Sequence, residues 1–143
     1  MAAWQAYLFS SHMLERRIED QLKRDAGLTH TQYEILVWLS GSPEGQLRMT
    51  ELARNVVTSK SALTYQINQL ERSGLVARSA SPEDDRGVLA VLTPAGRSLL
   101  ENTAPGHVEV VREHLIDLLS ESELKAFTRI MRKVRSSLQD DDR

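Results

Sequence analysis

Between Thr58 and Leu92 the spacing of apolar residues changes period, and that change limits the possible folds more than any other feature of the chain. In TSKSALTYQINQLERSGLV, Thr58 to Val76, the apolar residues Leu63, Ile67 and Leu70 recur at intervals of three and four. That spacing puts them on one stripe of a helix. Gly74 follows as a C′ glycine should, and Thr58 or Ser59 stands ready as N-cap. Two short strand-like runs come next, Val76 to Ala80 and Val88 to Leu92, separated by SPEDDRG. Serine, proline, aspartate and glycine are turn residues, so the pair predicts a β-hairpin with a polar tip. Opposite the helix's apolar stripe lie Ser61, Tyr65, Asn68 and Arg72, a face of short or hydrogen-bonding side chains around one aromatic.

Helical patterns flank this unit. Trp4 to about Arg24 carries Trp4, Tyr7, Leu8, Leu14, Ile18 and Leu22 on one stripe, and Gly27 ends it. Thr29 is a predicted N-cap for a second helix, whose centre YEILVWL, Tyr33 to Leu39, is apolar nearly all round and therefore reads as buried. GSPEG, Gly41 to Gly45, is a breaker cluster, and a short helix from about Met49 to Asn55 precedes the quoted one. Thr93-Pro94 restarts a helix to about Leu119, which Pro105-Gly106 should kink or interrupt. SESE, Ser120 to Glu123, is a capping box that opens a last helix bearing Leu124, Phe127, Met131, Val134 and Leu138 on one side. Long terminal helices with surplus apolar faces usually bury them against each other or a second subunit, so a homodimer is expected.

Composition is consistent with a soluble globular chain: 143 residues, 41% hydrophobic and 27% charged. No apolar run approaches the roughly 20 residues that span a bilayer. The start, MAAWQAYLFSSH, has no secretory pattern, and cysteine is absent. A cytosolic protein without disulfides, thiolate metal sites or membrane partners is expected. The net charge is −2, unevenly distributed: from Leu47 to Leu100 seven basic residues face five acidic ones, whereas the remainder holds eleven against fifteen. Charge therefore permits a nucleic-acid partner without demanding one.

Helix, tight turn, second helix and hairpin together describe a winged helix-turn-helix on a mainly α chain with a small β-hairpin wing and long dimerisation helices. A major groove about 12 Å wide admits one α-helix. Thr58, Ser59, Lys60 and Ser61 crowd the helix N-terminus, where free N–H groups favour phosphate. Tyr65, Gln66 and Gln69 follow with groups able to bond bases, and Arg86 at the hairpin tip suits an adjacent minor groove. Leu47 to Gly96, with its LRMTELA, S-x-S-x-L-T, ERSGLV, Asp84-x-Arg86 and LTPAG, resembles the MarR family of bacterial transcription regulators. The likeness, flanking helices included, extends over almost the whole chain.

The resemblance implies a homodimer on a pseudo-palindromic stretch of double-stranded DNA. It also implies repression relieved by a small, often aromatic ligand. It carries DNA contact onto Ser59, Lys60, Ser61, Thr64, Tyr65 and Gln66, and onto Asp84 and Arg86 of the wing, where the aspartate steadies the arginine. By the same reading the chain is a single domain, 1–143, with 29–93 as the DNA-binding lobe and 1–28 and 94–143 as the dimerisation region. Two departures stand out: Tyr65 sits where many members have Arg, and Leu89 and Val91 sit where members often alternate basic residues along the wing.

Other features yield less. His12, Arg16 and Trp38 are candidates to line an effector cleft, although Trp38 reads more simply as core. Tyr65 has a second reading, packing under a neighbouring loop. His107 and His114 lie seven apart, without the i, i+4 spacing of a zinc helix, and no cofactor is expected. No nucleophile elbow, phosphate loop or H-E-x-x-H pattern is present, so no enzymatic activity is expected. The alternative function, from a different class, is a winged-helix protein-interaction module without DNA binding.

Overall fold

The computed structural model describes residues 1–82 and 84–140, with only the backbone described for 84–86 and 140. The chain divides into two compact units, Met1–His107 and Val108–Arg143.

In the first unit, α1 (Ala2–Ala26) ends at Gly27, whose φ of 67° is the left-handed conformation that glycine adopts at no steric cost. α2 (His30–Gly41) begins at the predicted cap. Thr29 Oγ1 accepts from the Gln32 amide at 3.2 Å, and Gln32 Oε1 accepts from the Thr29 amide at 3.1 Å. This closes a reciprocal capping box in which glutamine fills the acid's place. Ile35, Leu36 and Leu39 are fully buried, but Val37 and Trp38 are not; Trp38 is 44% exposed, so its reading as core is corrected. α2 is apolar on nearly every side yet buries only one of them.

A 3-10 turn over Pro43–Gly45 leads into β1 (Gln46–Arg48), a three-residue strand too short for an alternation to be read from sequence. α3 (Met49–Asn55) and α4 (Lys60–Arg72) follow, then β2 (Val76–Ser81) and β3 (Asp84–Leu92). The sheet order is β1-β3-β2, antiparallel throughout, with Leu47 opposite Ala90 and Val76 opposite Leu92. The hairpin is thus one strand wider than expected, because β3's second edge pairs with β1. A register shift between Ala80 and Ser81 marks where the hairpin becomes irregular near its tip.

Thr93 ties the hairpin's root to α5 (Pro94–His114). Its hydroxyl donates to the Gly74 carbonyl at 2.7 Å and accepts from the Gly96 amide at 3.0 Å. Of the kink or interruption expected at Pro105–Gly106, the interruption does not occur: α5 continues to His114. The proline costs one backbone donor, a loss a packed helix tolerates. Gly106 brings α5 so close to α1 that an added Cβ would lie 3.0 Å from Gln21 Nε2. The first unit's core, led by Leu22, Ile35, Leu36, Leu52, Leu63, Ile67 and Leu70, lies among α1 to α4.

In the second unit the helix expected to reach Leu119 ends sooner. Leu115 is non-helical, and Ile116–Leu118 form a 3-10 turn. α6 (Glu121–Asp140) opens on the predicted box: the Ser120 amide donates to Glu123 Oε2 at 2.8 Å, and the Glu123 amide donates back to Ser120 Oγ at 3.4 Å. Along α6, Phe127, Ile130, Val134 and Leu138 are all exposed. Among the described residues, no helix is long and apolar enough to cross a membrane.

Candidate nucleic-acid interface

α3 and α4 are joined by a turn built as a Schellman motif. The Thr58 amide donates to the Ala53 carbonyl at 3.0 Å and the Val57 amide to the Arg54 carbonyl at 3.3 Å. The motif needs a left-handed residue at its C′ position, and Val57 supplies it with φ of 55° although its side chain is β-branched. A non-glycine residue in that region is costly, and a β-branched one is an outlier. Val56 turns inward at the same corner while Val57 is exposed.

Of the two predicted caps, Ser59 serves: its Oγ accepts from the Ala62 amide at 3.1 Å. Leu63, Ile67 and Leu70 are buried as their spacing predicts, which seats α4 with its opposite side outward. Ser59, Lys60, Ser61, Thr64 and Tyr65 are exposed there, and Thr58 is half-buried. Tyr65 is 60% exposed, which favours the open reading over packing beneath a loop. Thr64 spends its hydroxyl proton on the Lys60 carbonyl at 2.8 Å, leaving its oxygen as an acceptor.

Gln66 and Gln69 stand apart from this set. Gln66 Oε1 accepts from Gln32 Nε2 at 3.1 Å, so the side chain that caps α2 also reaches α4. Gln69, half-buried, lines a cleft with Gln32, Ser73 and Leu99. Both lie on the flank of α4 nearer α2 rather than at its outermost line. The side chains of Asp84 and Arg86, predicted at the wing tip, lie outside the described residues. Leu89 is buried with Ala90 in the sheet. Its apolar character is therefore required by the core and is not a lost surface contact.

Between α3, α4 and the hairpin lies a cleft of about 400 Å³ whose lining includes Arg48, Thr50, Lys60, Thr64 and Arg78. Three cations and two hydroxyls line this concave surface beside the exposed N-terminal turn of α4, with Arg78 already paired to the Glu71 carboxylate. Nothing in the spacing of Arg48, Thr50 and Arg78 marks them as part of this surface, because only the hairpin's fold brings β2 and the start of α3 beside α4.

His12 and Arg16 are exposed on α1 and Trp38 on α2. A different polar cluster, unmarked in the sequence, sits where α1, α2 and α5 meet within the first unit. His30 Nδ1 lies 2.7 Å from Glu15 Oε1, and the His30 amide donates to Glu19 Oε1 at 2.8 Å. The His107 ring packs against Tyr33 with centroids 4.5 Å apart and against His30 at 5.9 Å. Burial, with a smaller push from the His30 charge, holds the His107 pKa below its ordinary value. Burial raises Glu34, an effect that His30 opposes and Glu15 reinforces. Among the described residues no group of three or more His, Cys, Asp or Glu is arranged to hold a metal.

Residues 28–88 match the family model described as MarR family. The chain is 41% identical to Sco3205, a MarR family transcriptional regulator from Streptomyces coelicolor solved in complex with DNA. That match covers 96% of this chain and 86% of the other, with a TM-score of 0.95. The chain belongs to the MarR family. AbsC, a second MarR family regulator from the same organism, is 37% identical over 97% of this chain and 93% of its own, with a TM-score of 0.94. The HTH-type transcriptional repressor Rv2887 of Mycobacterium tuberculosis is 33% identical over 110 residues, 77% of each chain. As a MarR family member the chain is a winged helix-turn-helix, DNA-binding transcription regulator and not an enzyme.

Proposed function

We propose that this MarR family regulator acts as a homodimeric repressor, laying one α4 in the major groove of each half of a pseudo-palindromic operator. The observation that carries the reading is the seating of α4. A buried stripe of Leu63, Ile67 and Leu70 turns Ser61 and Tyr65 outward, with Ser59 and Lys60 exposed at the N-terminal turn. The 41% identity to a relative solved in complex with DNA supports the same reading. In it, Thr58, Ser59, Lys60 and Thr64 hold phosphates or groove walls, Ser61 and Tyr65 meet base edges, and Gln66 and Gln69 flank them. Asp84 and Arg86 serve the wing.

Residues 29–93 form the DNA-binding lobe, and 1–28 with 94–143 the dimerisation region. The exposed apolar residues Trp4, Tyr7, Phe9 and Met13 of α1 and Phe127, Ile130, Val134 and Leu138 of α6 supply the self-complementary surface. An effector that relieves repression is an aromatic acid, held by His12 and Arg16 with Trp38 as its apolar wall.

The test is selection of bound duplexes from a random pool by the purified protein at about 100 mM salt, where specific complexes survive. The expected product is an inverted repeat with half-sites about one helical turn apart. A pool that stays random after several rounds sinks the reading and moves the weight to a winged-helix protein-interaction module.

A further inference from the structure

Arg78, on β2, bridges the wing to the exposed flank of α4. Its Nη1 donates to Glu71 Oε2 at 2.5 Å and its Nη2 to Asn68 Oδ1 at 2.7 Å. Asn68 and Glu71 are three apart on α4, one above the other, so a single planar guanidinium spans both. The ion pair is partly shielded, with Arg78 28% and Glu71 41% exposed. The covalent path between α4 and β2 is the short turn through Gly74, whose φ is 73°. That turn closes as a Schellman motif, the Leu75 amide donating to the Leu70 carbonyl at 2.9 Å and the Gly74 amide to the Glu71 carbonyl at 3.0 Å, so it sets the root of β2, and Arg78 carries the tie to α4 farther out along the strand.

We propose that Arg78 is a positioning residue for DNA recognition: its two-pronged bond locks the wing to α4 so that both meet DNA as one rigid body. The proposal rests on the reading that α4 enters the groove. It follows that Asn68, although on the outward face, is withheld from bidentate reading of adenine. That contact needs both the amide's oxygen and its nitrogen, and the oxygen is engaged by Arg78. It follows too that the Glu71 carboxylate, which would repel phosphate, is held neutralised on the wing side. Lysine, with a point charge on a flexible stem, cannot reproduce the fork.

The experiment uses the full-length chain, with the duplex it enriches from a random pool as probe. Wild type, Arg78→Lys, Arg78→Gln, Glu71→Gln, Asn68→Ala and the Arg78→Lys, Asn68→Ala double variant are compared for affinity to that duplex and to one altered in a half-site, across a salt series. Amide hydrogen exchange is followed over α4 and β2. For Arg78→Lys the expected result is a tenfold or greater loss of discrimination between the two duplexes at an unchanged salt slope. Exchange is expected to quicken in the C-terminal half of α4 and in β2. Glu71→Gln keeps one prong and should lose less, and Asn68→Ala added to Arg78→Lys should cost little more.

Three outcomes overturn the proposal. Wild-type discrimination in Arg78→Lys does so directly. A uniform loss in Arg78→Gln with the salt slope reduced by about 0.9 does so as well, since that marks a phosphate contact instead. If the wild-type chain enriches no duplex, the docking of α4 fails and the role in recognition falls with it. The two failures differ in the first step: one has an operator and the other has none.

Discussion

Val57 occupies a backbone conformation that nearly every other residue would suit better, because the α3–α4 turn requires a left-handed C′ position at that point. Val57→Gly is expected to raise stability by about 1 kcal/mol, the left-handed strain removed less the greater freedom of glycine in the unfolded chain. Urea midpoints of the two proteins measure it, and a lower midpoint for the glycine variant would contradict the strain argument. His107 shows the opposite case, a sequence-unremarkable residue whose surroundings change its chemistry. Its folded pKa lies below the unfolded value of about 6.5, so the unfolded chain binds more protons in the window between them. Its contribution is therefore fully present above about pH 6.5 and lost as pH falls from there through the folded pKa. Glu34, raised by burial, acts in the opposite sense: the folded chain holds its proton more readily, and stability falls as pH rises through its folded pKa. Subtracting His107→Phe from wild type isolates the histidine. Between pH 7.5 and 5.5 the variant should lose less stability than wild type, as followed by urea titration at each pH.

The elements that were legible are those whose ends carry their own chemistry. Thr29 with Gln32, Ser59, and Ser120 with Glu123 each close a cap from residues within three positions, so sequence spacing suffices. β1 was not legible, since three residues carry no period and its partner β3 lies more than forty positions away. Nor was the continuity of α5 past Pro105, where packing against α1 outweighs the local penalty. Gly96 belongs to the same scale. A Cβ there would stand 2.1 Å from the Leu75 carbonyl oxygen, at the seam where α5 meets the hairpin root. Gly96→Ala should destabilise by about 3 kcal/mol or more, the upper range for overpacking against backbone that cannot yield. Thermal unfolding with and without the change tests it, and a shift of only a degree or two would show that the seam gives way.

For the whole molecule the open question is what covers the apolar side of α6. Phe127, Ile130, Val134 and Leu138 are exposed along it, an arrangement that water does not favour. Under the dimer reading, Val134→Glu places a charge in the subunit contact and should turn the dimer into monomer at micromolar concentration. Sedimentation velocity reads the mass, and circular dichroism checks that helix content persists. A wild-type chain that sediments as a monomer, or a variant that remains dimeric, would remove α6 from the interface. Operator affinity should fall with the dimer, because two half-sites held by one particle bind far more tightly than either alone.

What the sequence by itself determined is local and periodic. The order of helices, the change from a period of near four to a period of two at Gly74, the caps and the buried stripe of α4 all follow from residues within a turn or two of each other. The outward line of Ser61 and Tyr65 follows as well, since a stripe that is buried specifies the one opposite it. The tertiary structure decided which polar groups remain open on that line. Asn68 is claimed by Arg78 from ten positions away, and Gln66 by Gln32 from thirty-four. It also made Leu89 a core residue and packed the His107 ring against Tyr33. Such pairings depend on chain segments brought together by burial of the core, and residue spacing along the chain carries no record of which side chains will then be within bonding distance.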